Sequence, residues 1–95
     1  MADVIQIRET VKLDFFREVD TDPEWQLVDM EFIAEKQIIV NKGGTTVEFS
    51  YDGRQIHGVL DEGEHITFDD RMRRQIWFRS PNGEGLVRLS AWSNP

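Results

Sequence analysis

From Lys36 onward, short runs of alternating apolar and polar residues are separated by glycine-bearing breaks. Lys36 to Asn41 is β-branched at its centre and ends at Lys42-Gly43-Gly44. Thr45, Val47, Phe49 and Tyr51 then alternate with Thr46, Glu48 and Ser50, a period of two that places the first set on one face of a strand and the second on the other. Asp52-Gly53 follows, a pair suited to the two positive-φ positions of a type I′ turn, so Arg54 to Leu60 is predicted to fold back as the second arm of a hairpin. A turn at Asp61-Glu62-Gly63-Glu64 leads to a strand over His65 to Asp69, and a charged connection over Asp70 to Arg74 leads to another over Gln75 to Ser80. Pro81-Asn82-Gly83-Glu84-Gly85 is the next turn, and Leu86 to Trp92 the closing strand. Turn signals every 8 to 12 residues or so are the spacing of an all-β sandwich or barrel.

The first third fits two templates. Val11, Leu13 and Phe15 alternate with Lys12 and Asp14, and Ile5 and Ile7 continue that phase, as a strand requires. Val11, Phe15, Phe16 and Val19 also fall on one side of a helix, so residues 5–19 are read as strand with helix as the alternative. Asp20 to Pro23 interrupts either element, because proline fixes its own φ and restricts Asp22. Over residues 25–34, Leu27, Asp29, Glu31 and Ile33 share one strand face, and Val28, Met30, Phe32 and Ala34 the other. The expected architecture is a single all-β domain over residues 1–95, an antiparallel β-sandwich or jelly-roll-like fold of seven or eight strands.

Composition narrows the chemistry. With 39% hydrophobic residues, three Trp and six Phe in 95 residues, the chain can build a core. It has no Cys, which removes disulfides, thiolate metal sites and a cysteine nucleophile. No apolar run exceeds three residues, as in Ile38-Ile39-Val40, and no basic-led apolar leader opens the sequence. A soluble protein, cytoplasmic on synthesis and without a membrane span, is therefore expected.

The net charge of −7 is unevenly spread: ten acids fall in residues 1–35, whereas Arg71, Arg73, Arg74, Arg79 and Arg88 face only Glu84 in residues 71–95. An acidic chain repels phosphate backbones, which argues against nucleic acid as a partner. The late arginines either neutralise the acidic first third across the fold or give the molecule opposite poles suited to packing of identical copies.

Candidate chemistry is sparse. On a hairpin joined at Gly63, His57 and His65 would be diagonal neighbours, with Glu48 and Glu64 as further ligands, but nothing in the spacing demands a metal, and both histidines read as surface-strand residues. Ser50, Ser80, Ser90 and Ser93 lack a nucleophile elbow. Asp61-Glu62 and Asp69-Asp70 sit in turns, and Gly43-Gly44 and Gly83-x-Gly85 precede strands rather than helices. No enzyme activity and no cofactor is expected.

The aromatic residues carry more. Ile76 and Phe78 share one face of their strand while Trp77 lies with Gln75 and Arg79 on the other; Val87, Leu89 and Ala91 likewise oppose Arg88, Ser90 and Trp92. Trp77, Arg79, Arg88 and Trp92 are therefore expected to form one aromatic and cationic patch, unless arginine stems or loops cover the rings. Trp and Arg are the residues that anchor protein interfaces, and they also serve as sugar platforms. Asp52, Gly53, Gly63 and Gly83 are assigned to turns. Partners are then a second copy or a larger protein scaffold, with a glycan as the alternative.

Residues 46–92 carry further marks: S-x-D-G at Ser50 to Gly53, G-E at Gly63-Glu64, and V-R-x-x-A-W at Val87 to Trp92. In these the segment resembles small β-rich structural proteins of tailed phages and prophages. The resemblance implies a virion component, such as a capsid-decoration, head-to-tail or tail-associated subunit, acting by assembly, and a place in the virion.

Overall fold

The computed structural model describes residues 13–93; Ile5, Ile7 and Val11 lie outside them. Eight strands run in the order β1 (Leu13–Thr21), β2 (Gln26–Ala34), β3 (Lys36–Asn41), β4 (Val47–Ser50), β5 (Gly58–Leu60), β6 (His65–Phe68), β7 (Arg73–Arg79) and β8 (Gly85–Ser93), with no helix among them. They form two four-stranded antiparallel sheets, β1-β8-β3-β6 and β2-β7-β4-β5. The all-β expectation holds, and this strand order makes the sandwich a jelly roll. Of the segment that fitted strand and helix alike, the described part lies in strand β1, which pairs along its length with β8 from Leu13 opposite Ser93 to Thr21 opposite Gly85.

Period-two alternation sets the two faces of each strand. On β7 Ile76 and Phe78 are buried while Trp77 and Arg79 are half-buried on the outside, and on β8 Val87, Leu89 and Ala91 point inward. Together with Val28, Met30, Ile39, Val47, Phe49 and Leu60 these residues form one core between the sheets. Four buried polar side chains are paired. Asn41 donates to the carbonyls of Thr45 (2.8 Å) and Leu60 (3.0 Å), and Gln37 donates to the Arg71 carbonyl (3.0 Å) while accepting the Tyr51 hydroxyl proton (2.8 Å). Thr21 and Ser80 share a hydrogen bond of 2.6 Å. Buried polar groups are tolerated only when paired in this way.

Two sequence expectations are corrected. Asp52-Gly53 does not form a type I′ turn: Gly53 has φ +78°, but Asp52 does not join it at positive φ. Residues 51–57 form a longer loop, and only Gly58–Leu60 of the expected strand pairs with β4. Side chains take the backbone donors that a ladder would use. The Ser50 hydroxyl accepts from the N–H groups of Asp52 (3.2 Å) and Gly53 (2.9 Å), the Asp52 carboxylate from those of Arg54 and Gln55 (2.8 Å each), and His57 Nδ1 from that of Tyr51 (3.0 Å). Such local bonds compete directly with sheet pairing.

The second correction concerns the Gly63 turn. It does not close a hairpin, because β5 pairs with β4 in one sheet and β6 with β3 in the other. The chain crosses the sandwich there, held by the Asn41 side chain and by the bond from Asn41 N–H to the Glu64 carbonyl (2.9 Å). His57 and His65 are thus not neighbours: His57 stands in the loop before β5, and His65 lies opposite Val40 in the other sheet. On β2 the expected faces hold, with Val28, Met30 and Ala34 buried and Phe32 half-buried against the core, while Glu31 adopts φ +75°. The β2–β7 register shifts between Asp29 and Ala34, and the Asp29 carboxylate accepts the Glu31 N–H at 2.7 Å.

Candidate functional site

Each outer sheet face carries one tryptophan and one arginine of the expected patch. Trp77 and Arg79 lie on the outside of the β2-β7-β4-β5 sheet, Arg88 and Trp92 on the outside of the β1-β8-β3-β6 sheet. The four residues therefore do not form a single patch; they occupy opposite faces of the molecule. The alternation within each strand correctly put them outward, but the turn over residues 80–84 carries the chain from one sheet to the other, and periodicity is blind to that crossing.

Each face builds the same device from different residues. On the first, Glu48 lies opposite Arg79 across β4 and β7 and accepts from its Nε at 2.6 Å, both side chains being largely screened from solvent. The Arg79 guanidinium is stacked over the Trp25 ring, 4.2 Å from its centroid. On the second face Glu18 lies opposite Arg88 across β1 and β8 and takes two of its N–H bonds, at 3.0 and 3.1 Å. The Arg88 guanidinium stands 5.7 Å from the centroid of Phe16, whose side chain is 64% exposed. A guanidinium held by a carboxylate at its edge and a ring at its face has its charge answered and its geometry fixed. Of the late arginines, Arg88 thus neutralises an acid of the first third, while Arg79 neutralises one outside it. Arg74 bonds Asp29 at 3.0 Å, and Asp29 is held below the usual carboxylate range by the Glu31 N–H and by Arg74.

The first face also carries exposed apolar residues. Leu27 lies opposite Trp77, and Val59 opposite Glu48; Leu27 and Val59 are each 51% exposed. Trp77 in turn rests against the 51–57 loop, where a Cβ built on Gly53 would stand 3.0 Å from the ring. The sequence reading missed Trp25 as a site residue. Its position opposite Arg79 follows from the β2–β7 register, a pairing of segments some fifty residues apart that no local pattern encodes. A period-two extension from Leu27 back to Trp25 was the one signal available.

The turn assignments stand as geometry. Gly53, Gly63 and Gly83 all have positive φ, at +78°, +80° and +140°, and Asp52 holds two backbone N–H groups. Those N–H bonds, with Ser50, depress the Asp52 carboxyl to about 2.

Comparison with known proteins places this arrangement among familiar folds. No family model matches the sequence, and no curated protein does. Solved structures match in shape. An HTH_3 family transcriptional regulator from Vibrio cholerae aligns with 87% of this chain and 44% of its own, at TM-score 0.60 and 15% identity. The Fe(II) form of HppE in complex with substrate aligns over 83% of this chain and 45% of its own, at 0.58 and 8%. The chain thus spans less than half the length of either protein. A structure of Bacillus endospore appendages, described as disulfide-linked pili, aligns over 88% of this chain and 87% of its own, at 0.54 and 12%. At such identities the likeness shows the fold alone, a jelly roll of the double-stranded β-helix (cupin) kind. That fold serves a regulator, an iron-containing protein and a pilus, so it does not decide between enzyme and non-enzyme.

The iron can be tested against the residues. Non-haem iron takes imidazole and carboxylate ligands that converge on one point. Among the described residues no three His, Asp or Glu side chains converge in that way. The inward positions are apolar or are amides and hydroxyls already paired, such as Gln37 and Asn41, while His57 and His65 are exposed and separated. The described residues do not fit an iron centre. No helix among the described residues is long and apolar enough to cross a membrane.

Proposed function

We propose that this chain is a non-catalytic assembly module, a virion subunit of the phage-type kind that residues 46–92 resemble, acting by packing its outer sheet face against protein neighbours. The observation that carries the reading is the face built from Trp25, Leu27, Trp77 and Val59 around Arg79 and Glu48. It is apolar around Arg79, whose charge is already neutralised by Glu48, and aromatic residues with a braced arginine are what energetic centres of protein interfaces contain. The pilus match adds that the same architecture assembles in Bacillus endospore appendages.

Because Arg79 and Arg88 are paired within the chain, this contact relies on buried apolar area and responds weakly to salt. Trp77→Ala tests it. The ring lies off the core, so the variant is expected to fold, and loss of an interface anchor costs about 2 kcal/mol or more of association, roughly thirtyfold in affinity. Light scattering and sedimentation read that change. A folded Trp77→Ala protein that associates like the parent would remove this face from assembly.

Glycan binding is the second reading, supported by Trp25 and Trp77 lying on one face of adjacent strands, diagonal to each other across the register. Retention of a monomeric parent on a glycan array, lost in Trp77→Ala, would put it first.

A further inference from the structure

The connections at both ends of the sandwich are net acidic, but only one end carries arginines. One end is made by the connections over residues 22–25, 42–46, 61–64 and 80–84. These hold Asp22, Glu24, Asp61, Glu62, Glu64 and Glu84 against Lys42 alone. None of these carboxylates is ion-paired among the described residues. Asp22, Glu84 and the strand-end Asp20 line an open cavity of about 420 Å³ there.

The opposite end is made by Glu35 and the connections over residues 51–57 and 69–72. A cavity of about 510 Å³ opens beside it, lined by Asp29, Tyr51, Arg73, Arg74 and Gln75. Two guanidinium groups flank the Tyr51 ring, Arg73 at 5.3 Å and Arg71 at 5.8 Å from its centroid, and Arg71 also lies 4.0 Å above Phe68. Arg74, Arg79 and Arg88 each hold a carboxylate, but among the described residues Arg71 and Arg73 hold none. Stacking occupies the face of a guanidinium and leaves its edge donors directed outward, where they match carboxylate oxygens. Arg73 spends one such donor on the Met72 carbonyl at 3.1 Å.

Acids are present at this end too. Asp29 and Asp52 are already engaged, by Arg74 and by backbone N–H groups, while Glu35, Asp69 and Asp70 carry no ion pair. What distinguishes the arginines is their fixed seat. Buried Gln37 accepts from the Tyr51 hydroxyl and donates to the Arg71 carbonyl, and Arg71 N–H bonds the Glu35 carbonyl at 2.9 Å. Cations held in place before contact lose little freedom on binding.

We infer that this arginine end takes up carboxylates from the acidic loop end of a second copy, stacking copies end to end. The inference rests on the assembly reading above and adds a contact separate from the Trp77 face. Joining one end to the opposite end of the next copy is a heterologous contact, which leaves a free end at each addition and so builds open rows rather than closed dimers.

Charge reversal in two halves tests it by sedimentation velocity and light scattering, with circular dichroism to establish folding. The parent is expected to grow in mass with concentration without a fixed stoichiometry, and to shorten as salt rises. Arg71→Glu with Arg73→Glu, or Glu62→Lys with Glu84→Lys, should each weaken stacking by about tenfold or more. Mixed in equal amounts, the two variants retain one native pair of ends, and their reversed ends are again opposite in charge, so association in the mixture should recover well above that of either variant alone. Should the glutamates disturb the fold, Arg71→Gln with Arg73→Gln removes the cations without reversing them and should also lose stacking. If both sets of variants associate as the parent does, end stacking is wrong while assembly through the sheet face stands. A parent that is monomeric at every concentration overturns both.

Discussion

Gly53→Val isolates what the 51–57 loop demands of its backbone. Gly53 sits at φ +78°, a region that costs a β-branched residue roughly 1–3 kcal/mol. A second cost comes from packing. A Cβ at this position would stand 3.0 Å from Trp77 Cε2 and 3.1 Å from its Nε1, closer than carbon atoms ordinarily approach, so the ring or the loop must yield. Because Trp77 lies on the outer face, part of that strain relaxes by tilting the ring, and the total should stay near 2–3 kcal/mol, on the scale of one strained backbone site. For a domain of this size each kcal/mol lowers the melting temperature by about 4–8 °C.

Thermal denaturation by circular dichroism measures the total, and tryptophan fluorescence reports the ring. The double variant Gly53→Val with Trp77→Ala separates the two costs. Removing the ring relieves the steric part only, so the double variant should lose less than the sum of the singles, by about 0.5 kcal/mol or more. Strict additivity would show that backbone strain acts alone. An unchanged melting temperature for Gly53→Val would refute both the positive φ and the contact with Trp77.

Other substitutions probe the same end of the molecule. Tyr51→Phe leaves the Oε1 of buried Gln37 without its donor and should cost about 1–3 kcal/mol in denaturant titration, and Gln37→Leu should make it nearly silent. Burial pushes the Tyr51 hydroxyl up to about 12 from an ordinary 10. The unfolded chain therefore loses this proton first, and the parent should lose stability as pH rises from 10 to 12 in a way that Tyr51→Phe does not. Asp52, depressed to about 2, works in the opposite sense: its contribution is present above its ordinary pKa of 3.8 and is lost as pH falls towards 2. The stability gap between parent and Asp52→Ala should close over that window in acid titrations followed by circular dichroism. Replacing His57 and His65 together by Gln should leave the melting temperature within a few degrees and unmoved by added zinc; a zinc-dependent rise in the parent that the variant lacks would contradict the separation of the two rings.

The sequence by itself determined which side of each strand faces the core, because alternation is a property of the extended backbone and needs no partner. Phe49, Ile76, Phe78, Val87 and Leu89 could be placed inside, and Trp77, Arg79, Arg88 and Trp92 outside, from spacing alone. It also marked Gly53, Gly63 and Gly83 as turn positions, since positive φ is a local demand. Which sheet each strand joins was decided by the tertiary structure. Only β4 and β5 pair with their sequence neighbour; every other pairing brings together distant segments, whose register depends on fitting the whole core at once. The single patch expected from four residues therefore became two, and Trp25 gained a role beside Arg79 that its own surroundings in the chain do not announce. The acidic and arginine ends are likewise a product of topology. Loops far apart in sequence meet at one end because successive strands cross the sandwich, and charge that is scattered along the chain is sorted in space by those crossings.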